Sequence, residues 1–125
     1  MQKLYACFLF TFLICAFQTA QCQDTTGVNP KPQWLVPTGF SPNGDGINDY
    51  FHVVLRGPVE LVFLRVFNRW GEKIFETNTV DPGWDGTYQE RPQPVGVYVY
   101  QIQVRKTLNG VNTIVNESGN VTLIR

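Results

Sequence analysis

Cysteine is absent after Cys22, histidine occurs once, at His52, and no stretch of ten residues carries a capped helical apolar stripe. Each absence removes a class of protein. Without cysteine in the exported part there is no disulfide framework and no thiol nucleophile. One histidine cannot build a histidine-rich metal centre. Charge is also scarce, at 16% of residues, and it is balanced. Once Lys3 is removed with the leader, nine basic face ten acidic residues, which gives no electrostatic footprint for a nucleic acid or an anionic membrane.

The one long apolar run, Leu4 to Phe17, has fourteen residues, short of the ~18 to 20 that a transmembrane helix needs. With Lys3 ahead of it and Ala20 and Cys22 at the small-residue positions, residues 1–22 read as a secretory signal peptide cut after Cys22. A lipoprotein that keeps Cys22 as an acylated first residue is the alternative, disfavoured by Gln21 where a small residue is wanted. The mature chain carries no transmembrane anchor on this reading. Residues 23–33, with Pro30 and Pro32 and almost no apolar periodicity, read as a linker or disordered lead-in. Residues 34–125 form one domain.

What is present is β-type sequence. Tyr50 to Leu55 is β-branched and aromatic and ends at Arg56-Gly57-Pro58. Leu61 to Phe67 sets Leu64 and Val66 against Phe63 and Phe67, with Arg65 its only polar residue, so both faces are expected to be covered. With Lys73 to Glu76 it makes a hairpin around Asn68-Arg69-Trp70-Gly71-Glu72. Asn78 to Pro94 is polar and irregular apart from Trp84-Asp85-Gly86-Thr87-Tyr88. Gly96 to Arg105 alternates most clearly, with Tyr98, Tyr100, Ile102 and Val104 on one face, and Asn109-Gly110 predicts a type I′ turn back into Val111 to Arg125, with a bulge at Gly119. Six or seven short strands in about 100 residues predict an all-β, immunoglobulin-like antiparallel β-sandwich.

Few residues could carry chemistry. His52 reads as a partly exposed strand histidine, and neither Ser41 nor Ser118 stands in a nucleophile elbow. The carboxylate pairs Asp45 with Asp49 and Asp81 with Asp85 lack an aromatic cleft in the sequence, so the chain reads as no enzyme. Asn43-Gly44-Asp45-Gly46-Ile47-Asn48-Asp49 crowds oxygen-bearing side chains and glycines. It admits a calcium loop with Asn43, Asp45 and Asp49 as ligands, although the full EF-hand spacing is absent. The other reading is an Asx-turn structure whose side chains satisfy nearby amides. Ca²⁺ is the one cofactor under consideration. Trp84 and Trp70 both read as turn tryptophans that pack on the sheet.

Five pieces in order resemble a known family: Pro37 to Phe51, Val66 to Phe75, Trp84 to Thr87, Pro94 to Tyr100 and Gly119 to Arg125. The chain resembles the gliding motility-associated C-terminal domain, the type B sorting domain of the type IX secretion system. The residues that carry the resemblance are Ser41, Pro42, Asn43, Gly44, Asp45, Gly46, Asn48, Asp49, Asn68, Arg69, Trp70, Gly71, Trp84, Asp85, Gly86, Thr87, Gly96, Tyr98 and Arg125. The resemblance implies a bacterium of the Bacteroidota, export by the general secretory pathway to the periplasm, and then secretion or attachment at the cell surface. The implied partners are the type IX translocon and associated outer-membrane proteins. Family members usually carry a large passenger, whereas eleven residues separate Cys22 from Trp34. The module is therefore read as a sorting and surface-attachment domain without a large passenger. A small secreted adhesion or binding subunit, calcium-stabilised, and a companion of the secretion or gliding machinery are the alternatives.

Overall fold

The computed structural model describes residues 31–125. The signal peptide and most of the lead-in fall outside the described residues, and Gln33 is already the first residue of a strand.

The strands are β1 (Gln33–Leu35), β2 (Gly39–Phe40), β3 (Val54–Arg56), β4 (Val59–Phe67), β5 (Lys73–Thr77), β6 (Thr87–Tyr88), β7 (Arg91–Pro92), β8 (Gly96–Leu108) and β9 (Val111–Leu123). Five of them build the main sheet in the order β2-β9-β8-β4-β5. The ribbons β1-β3 and β6-β7 are separate. The fold is all-β and sandwich-like, as the turn spacing predicts. It has more strand segments than expected because β2, β6 and β7 are only two residues long.

The spine is the β8–β9 hairpin. Tyr98, Tyr100, Ile102 and Val104 of β8 are buried, while Val97, Val99, Gln101 and Arg105 between them are exposed. The period-2 pattern of the sequence therefore becomes the two faces of the sheet. Asn109 and Gly110 both take positive φ, 51° and 76°, as the predicted turn requires. From there the pairing runs unbroken from Leu108↔Val111 to Gly96↔Leu123. The bulge expected at Gly119 is not there. The glycine serves a packing need: a Cβ at Gly119 would lie 2.6 Å from the Tyr100 hydroxyl.

Three other expectations are corrected. The predicted strand Tyr50–Leu55 is regular only from Val54. Upstream, Phe51 makes an isolated bridge to Trp84, with N···O distances of 2.8 and 2.9 Å in the two directions. The sheet is not wholly antiparallel, because β2 pairs parallel with the end of β9. Thr122 N–H donates to Thr38 O and Ile124 N–H to Phe40 O, each at 2.9 Å. Partners so distant in sequence leave no local signal. Finally, β4 lies between β8 and β5, but only its Leu64 and Val66 face is buried. Phe63 on the other face is half-buried, shielded by the Arg65 guanidinium 3.9 Å from its ring centroid.

Phe40, Phe51, Val53, Leu64, Val66, Ile74, Trp84, Ile102 and Leu123 lie in one core with the inner residues of β8 and β9. The aromatic members pack at tilted or edge-on angles. Ring centroids are 5.3 Å apart for Phe40–Trp84, 5.7 Å for Phe51–Tyr100 and 5.0 Å for Trp84–Tyr98. These separations suit quadrupole-favoured aromatic contacts.

Candidate functional site

The loop Ser41–Asp49 folds around one carboxylate. Asp49 Oδ1 accepts from the amides of Asn43 and Gly44, at 3.1 and 3.0 Å, and Oδ2 accepts from Gly46 N–H at 2.8 Å. Asn43 Oδ1 accepts from Asp45 N–H and Asp45 Oδ1 from Ile47 N–H. Gly44, Gly46 and Asn48 take positive φ, which turns successive amides inward. Ser41 N–H donates to Asn48 O at 2.8 Å and closes the neck. These are the bonds of an Asx-turn structure, and the three oxygen-bearing residues weighed as calcium ligands each accept from backbone amides. Among the described residues, no three His, Cys, Asp or Glu side chains gather as a metal-holding group.

The Trp84–Thr87 turn brings the separate sequence pieces together. Trp84 is fully buried, and its Nε1–H donates to Thr87 O at 2.8 Å, so the indole enters the core with its polar edge satisfied. Asp85 Oδ1 accepts from Thr87 N–H and from Thr87 Oγ1–H at 3.0 and 2.7 Å, which closes the turn. Gly86 is at φ 80°, and a Cβ there would stand 2.9 Å from Leu123 Cδ1 and 3.0 Å from Pro42 Cγ. The turn therefore rests against both the start of the Ser41 loop and the end of β9. Gln93 N–H donates to Gly86 O at 2.8 Å and secures the next segment.

The hairpin tip Asn68–Glu72 is organised differently. Asn68 Oδ1 accepts from Trp70 N–H and Glu72 N–H, both at 3.0 Å, and the main chains of Asn68 and Glu72 pair at the same distance. The side chain of Asn68 holds the turn from within. Trp70 is 83% exposed, so the expectation that it packs on the sheet is wrong. It stands at the tip of the β4–β5 hairpin, beyond the last paired residues Phe67 and Lys73. Asn68, Arg69 and Trp70 line a cleft of about 100 Å³ with Pro94, Val95, Gly96 and Tyr98. Arg125 reaches the same end, where its Nη1–H donates to Gln93 O at 2.5 Å.

Tyr98 links the two regions. Its ring packs on Trp84 and its hydroxyl donates to Pro94 O at 2.6 Å. Burial raises its pKa, and the nearby charges of Arg125 and Arg69 draw it back down. The Tyr100 hydroxyl is raised first by burial and then by Glu117, to which it donates at 3.3 Å. Glu117 also accepts from Trp34 Nε1–H at 2.7 Å, so its carboxylate is engaged at both oxygens. A larger cleft of about 610 Å³, lined by Trp34, Leu35, Val54, Arg56 and Glu117, lies beside it, and these lining residues stand outside the five pieces. His52 is half-buried, as expected, but lies outside the regular strand, and its Nδ1 has no hydrogen-bond partner among the described residues.

The structure brings Pro42, Trp84, Gly86 and Tyr98 into one junction, and Asn68, Arg69, Trp70, Gly96 and Arg125 to one neighbouring end. Phe40, Phe51, Tyr100 and Leu123 complete the junction but were not among the candidate site residues. Nothing local to the sequence says which turn these apolar residues meet. Among the described residues, no helix is long and apolar enough to cross a membrane. No curated protein and no solved structure matches the chain. The family model of the CHU_C type IX secretion signal domain matches residues 34–122, which takes in the Ser41 loop, the Trp70 hairpin, the Trp84 turn and nearly all of β9. The family is one of secretion signals rather than catalysts, and the chain belongs to it.

Proposed function

We propose that this domain is a non-catalytic sorting and cell-surface attachment module, delivered to the periplasm of a bacterium of the Bacteroidota and then read as a folded unit by the outer-membrane type IX translocon. The single observation that carries this reading is that segments scattered over the chain meet in the fold. Pro42, Gly86 and Leu123 come from three different segments and touch at one point, where a Cβ on Gly86 would collide with both neighbours. A signal read from an extended peptide would need no such convergence. The non-catalytic part is supported by the engagement of Asp45, Asp49 and Asp85 in local turns and by the one histidine, whose Nδ1 has no hydrogen-bond partner among the described residues.

The full chain, expressed in a type IX-competent host, is expected outside the cell or on its surface, and in the periplasm of a translocon-deficient host. Folded protein retained in the periplasm of the competent host would overturn the reading. For the Ser41–Asp49 loop we adopt the metal-free form, supported by the three amide bonds to Asp49. Millimolar calcium is expected to leave the melting temperature unchanged. A rise reversed by chelator would restore the cation, since a ligand that binds only the folded state stabilises it.

A further inference from the structure

The hairpin tip combines three properties. Trp70 is 83% exposed, and Val95 and Val97 beside it are each 56% exposed. The three side chains line one cleft, and apolar side chains clustered in this way, rather than scattered singly, mark sites of association. The tryptophan is also held in place: its amide is bound to Asn68 Oδ1 in a turn closed by four further hydrogen bonds between Asn68 and its neighbours. An aromatic on a rigid turn loses little conformational freedom on docking. Finally, the rim is cationic. The ion pairs among the described residues are Arg65–Glu76, Lys73–Glu76 and Arg105–Glu60, and neither Arg69 nor Arg125 takes part in one. The nearest carboxylate on the hairpin, Glu72, is turned toward Asn68 and Tyr88.

On the reading of the domain as a sorting module, we infer that the end of the sandwich formed by Arg69, Trp70, Val95, Val97 and Arg125 is the face docked by the secretion machinery, against a protein surface that offers a pocket for the indole and carboxylates for the two guanidiniums. Charge complementarity selects an acidic partner, because Arg69 and Arg125 both lie at this end and neither takes part in an ion pair among the described residues. An anionic bilayer is a poorer match, because lipid-recognising patches gather about four to eight basic residues and this face presents two. Arginine also pairs with carboxylates through two parallel bonds, which suits a defined protein contact.

The test uses the full chain in the type IX-competent host, with the wild-type chain, Trp70→Ala, the double reversal Arg69→Glu/Arg125→Glu, the conservative pair Arg69→Lys/Arg125→Lys, and Val111→Ser as an exposed apolar control at the far turn. Trp70→Ala and the double reversal are each expected to reduce export about tenfold or more and to accumulate as folded, protease-resistant periplasmic protein. The lysine pair keeps the charge but loses the paired bonds, so its export should fall between wild type and the double reversal, and Val111→Ser should match wild type. If wild type itself stays in the periplasm, the sorting function fails. If wild type is exported and Trp70→Ala and the double reversal are exported equally well, the docking face is overturned while the sorting function stands. Loss with Trp70→Ala but not with the charge reversal would overturn the acidic partner. So would binding of the purified chain to phosphatidylglycerol vesicles, but not to phosphatidylcholine vesicles, in a manner abolished by the double reversal. A variant that loses its fold by circular dichroism would overturn the placement of this end outside the core, and with it the inference.

Discussion

Trp84 and Trp70 stand in turns of similar make-up, each with a glycine within two residues and an Asx side chain that bonds backbone amides. One is fully buried and the other 83% exposed. The difference lies in what each turn meets. The Trp84 turn is bridged to Phe51, pressed against Pro42 and Leu123 through Gly86, and roofed by Phe40 and Tyr98. The Trp70 turn is closed almost wholly by its own Asn68 and caps a hairpin that ends in solvent. Turn chemistry therefore decides whether the chain reverses, and the contacts beyond the turn decide whether its aromatic serves stability or recognition. The first turn belongs to the core and the second to the surface.

The strongest way to break that contrast is Trp84→Ala, which empties a fully buried indole site and is expected to cost about 3–5 kcal/mol, read by denaturant unfolding. A small loss there would mean that the junction is not the core of the domain. Gly86→Ala comes next, at about 2 kcal/mol, because the new Cβ meets both φ strain and two close neighbours. If Gly86→Ala melts like wild type, the convergence of Pro42, Gly86 and Leu123 is looser than described. Asp49→Ala removes the acceptor of three amides in a solvent-accessible loop and should cost about 1–2 kcal/mol in the same assay.

The tyrosines sharpen the comparison through pH. In the unfolded chain their hydroxyls ionise near 10, whereas burial holds Tyr98 and Tyr100 protonated to higher pH in the folded state. Their contribution is fully present below about pH 10 and is lost as pH rises through the folded pKa values. Melting temperature should fall as pH rises above about 10, and Tyr100→Phe should fall less steeply than wild type. An equal slope in the variant would count against burial as the cause. The smallest effect belongs to Trp70→Ala, whose stability should lie within about 0.5 kcal/mol of wild type. A larger loss would erase the distinction between the two tryptophans.

Much of the architecture was readable from pattern. The alternation of Tyr98, Tyr100, Ile102 and Val104, the Asn109-Gly110 turn and the hairpin around Asn68 are local features whose causes lie within a few residues, and each appears where its chemistry placed it. What was misread depended on distant partners. Gly119 looked like a strand irregularity, but its small size makes room for Tyr100 across the ladder. Tyr50 to Val53 had strand composition, yet the ladder partner available there was a single bridge to Trp84, so regular pairing begins only at Val54. The candidate site divides in the same way. The carboxylate-centred loop follows from Asx and Gly spacing, whereas the separation of Trp84 from Trp70 does not.

By itself, then, the sequence determined an all-β domain without disulfides, its main hairpins, a tight Asx- and Gly-rich loop from Ser41 to Asp49 and the order of pieces by which its family is known. Periodicity and turn preferences are short-range properties, written in neighbouring residues. Only the tertiary structure decided that β2 joins β9 in parallel, that Pro42, Gly86 and Leu123 share one contact, and that Arg125 comes to lie beside the Trp70 hairpin. Those outcomes depend on which surfaces exclude water from one another once the sheet has formed, and burial is a property of the assembled layers rather than of any one segment.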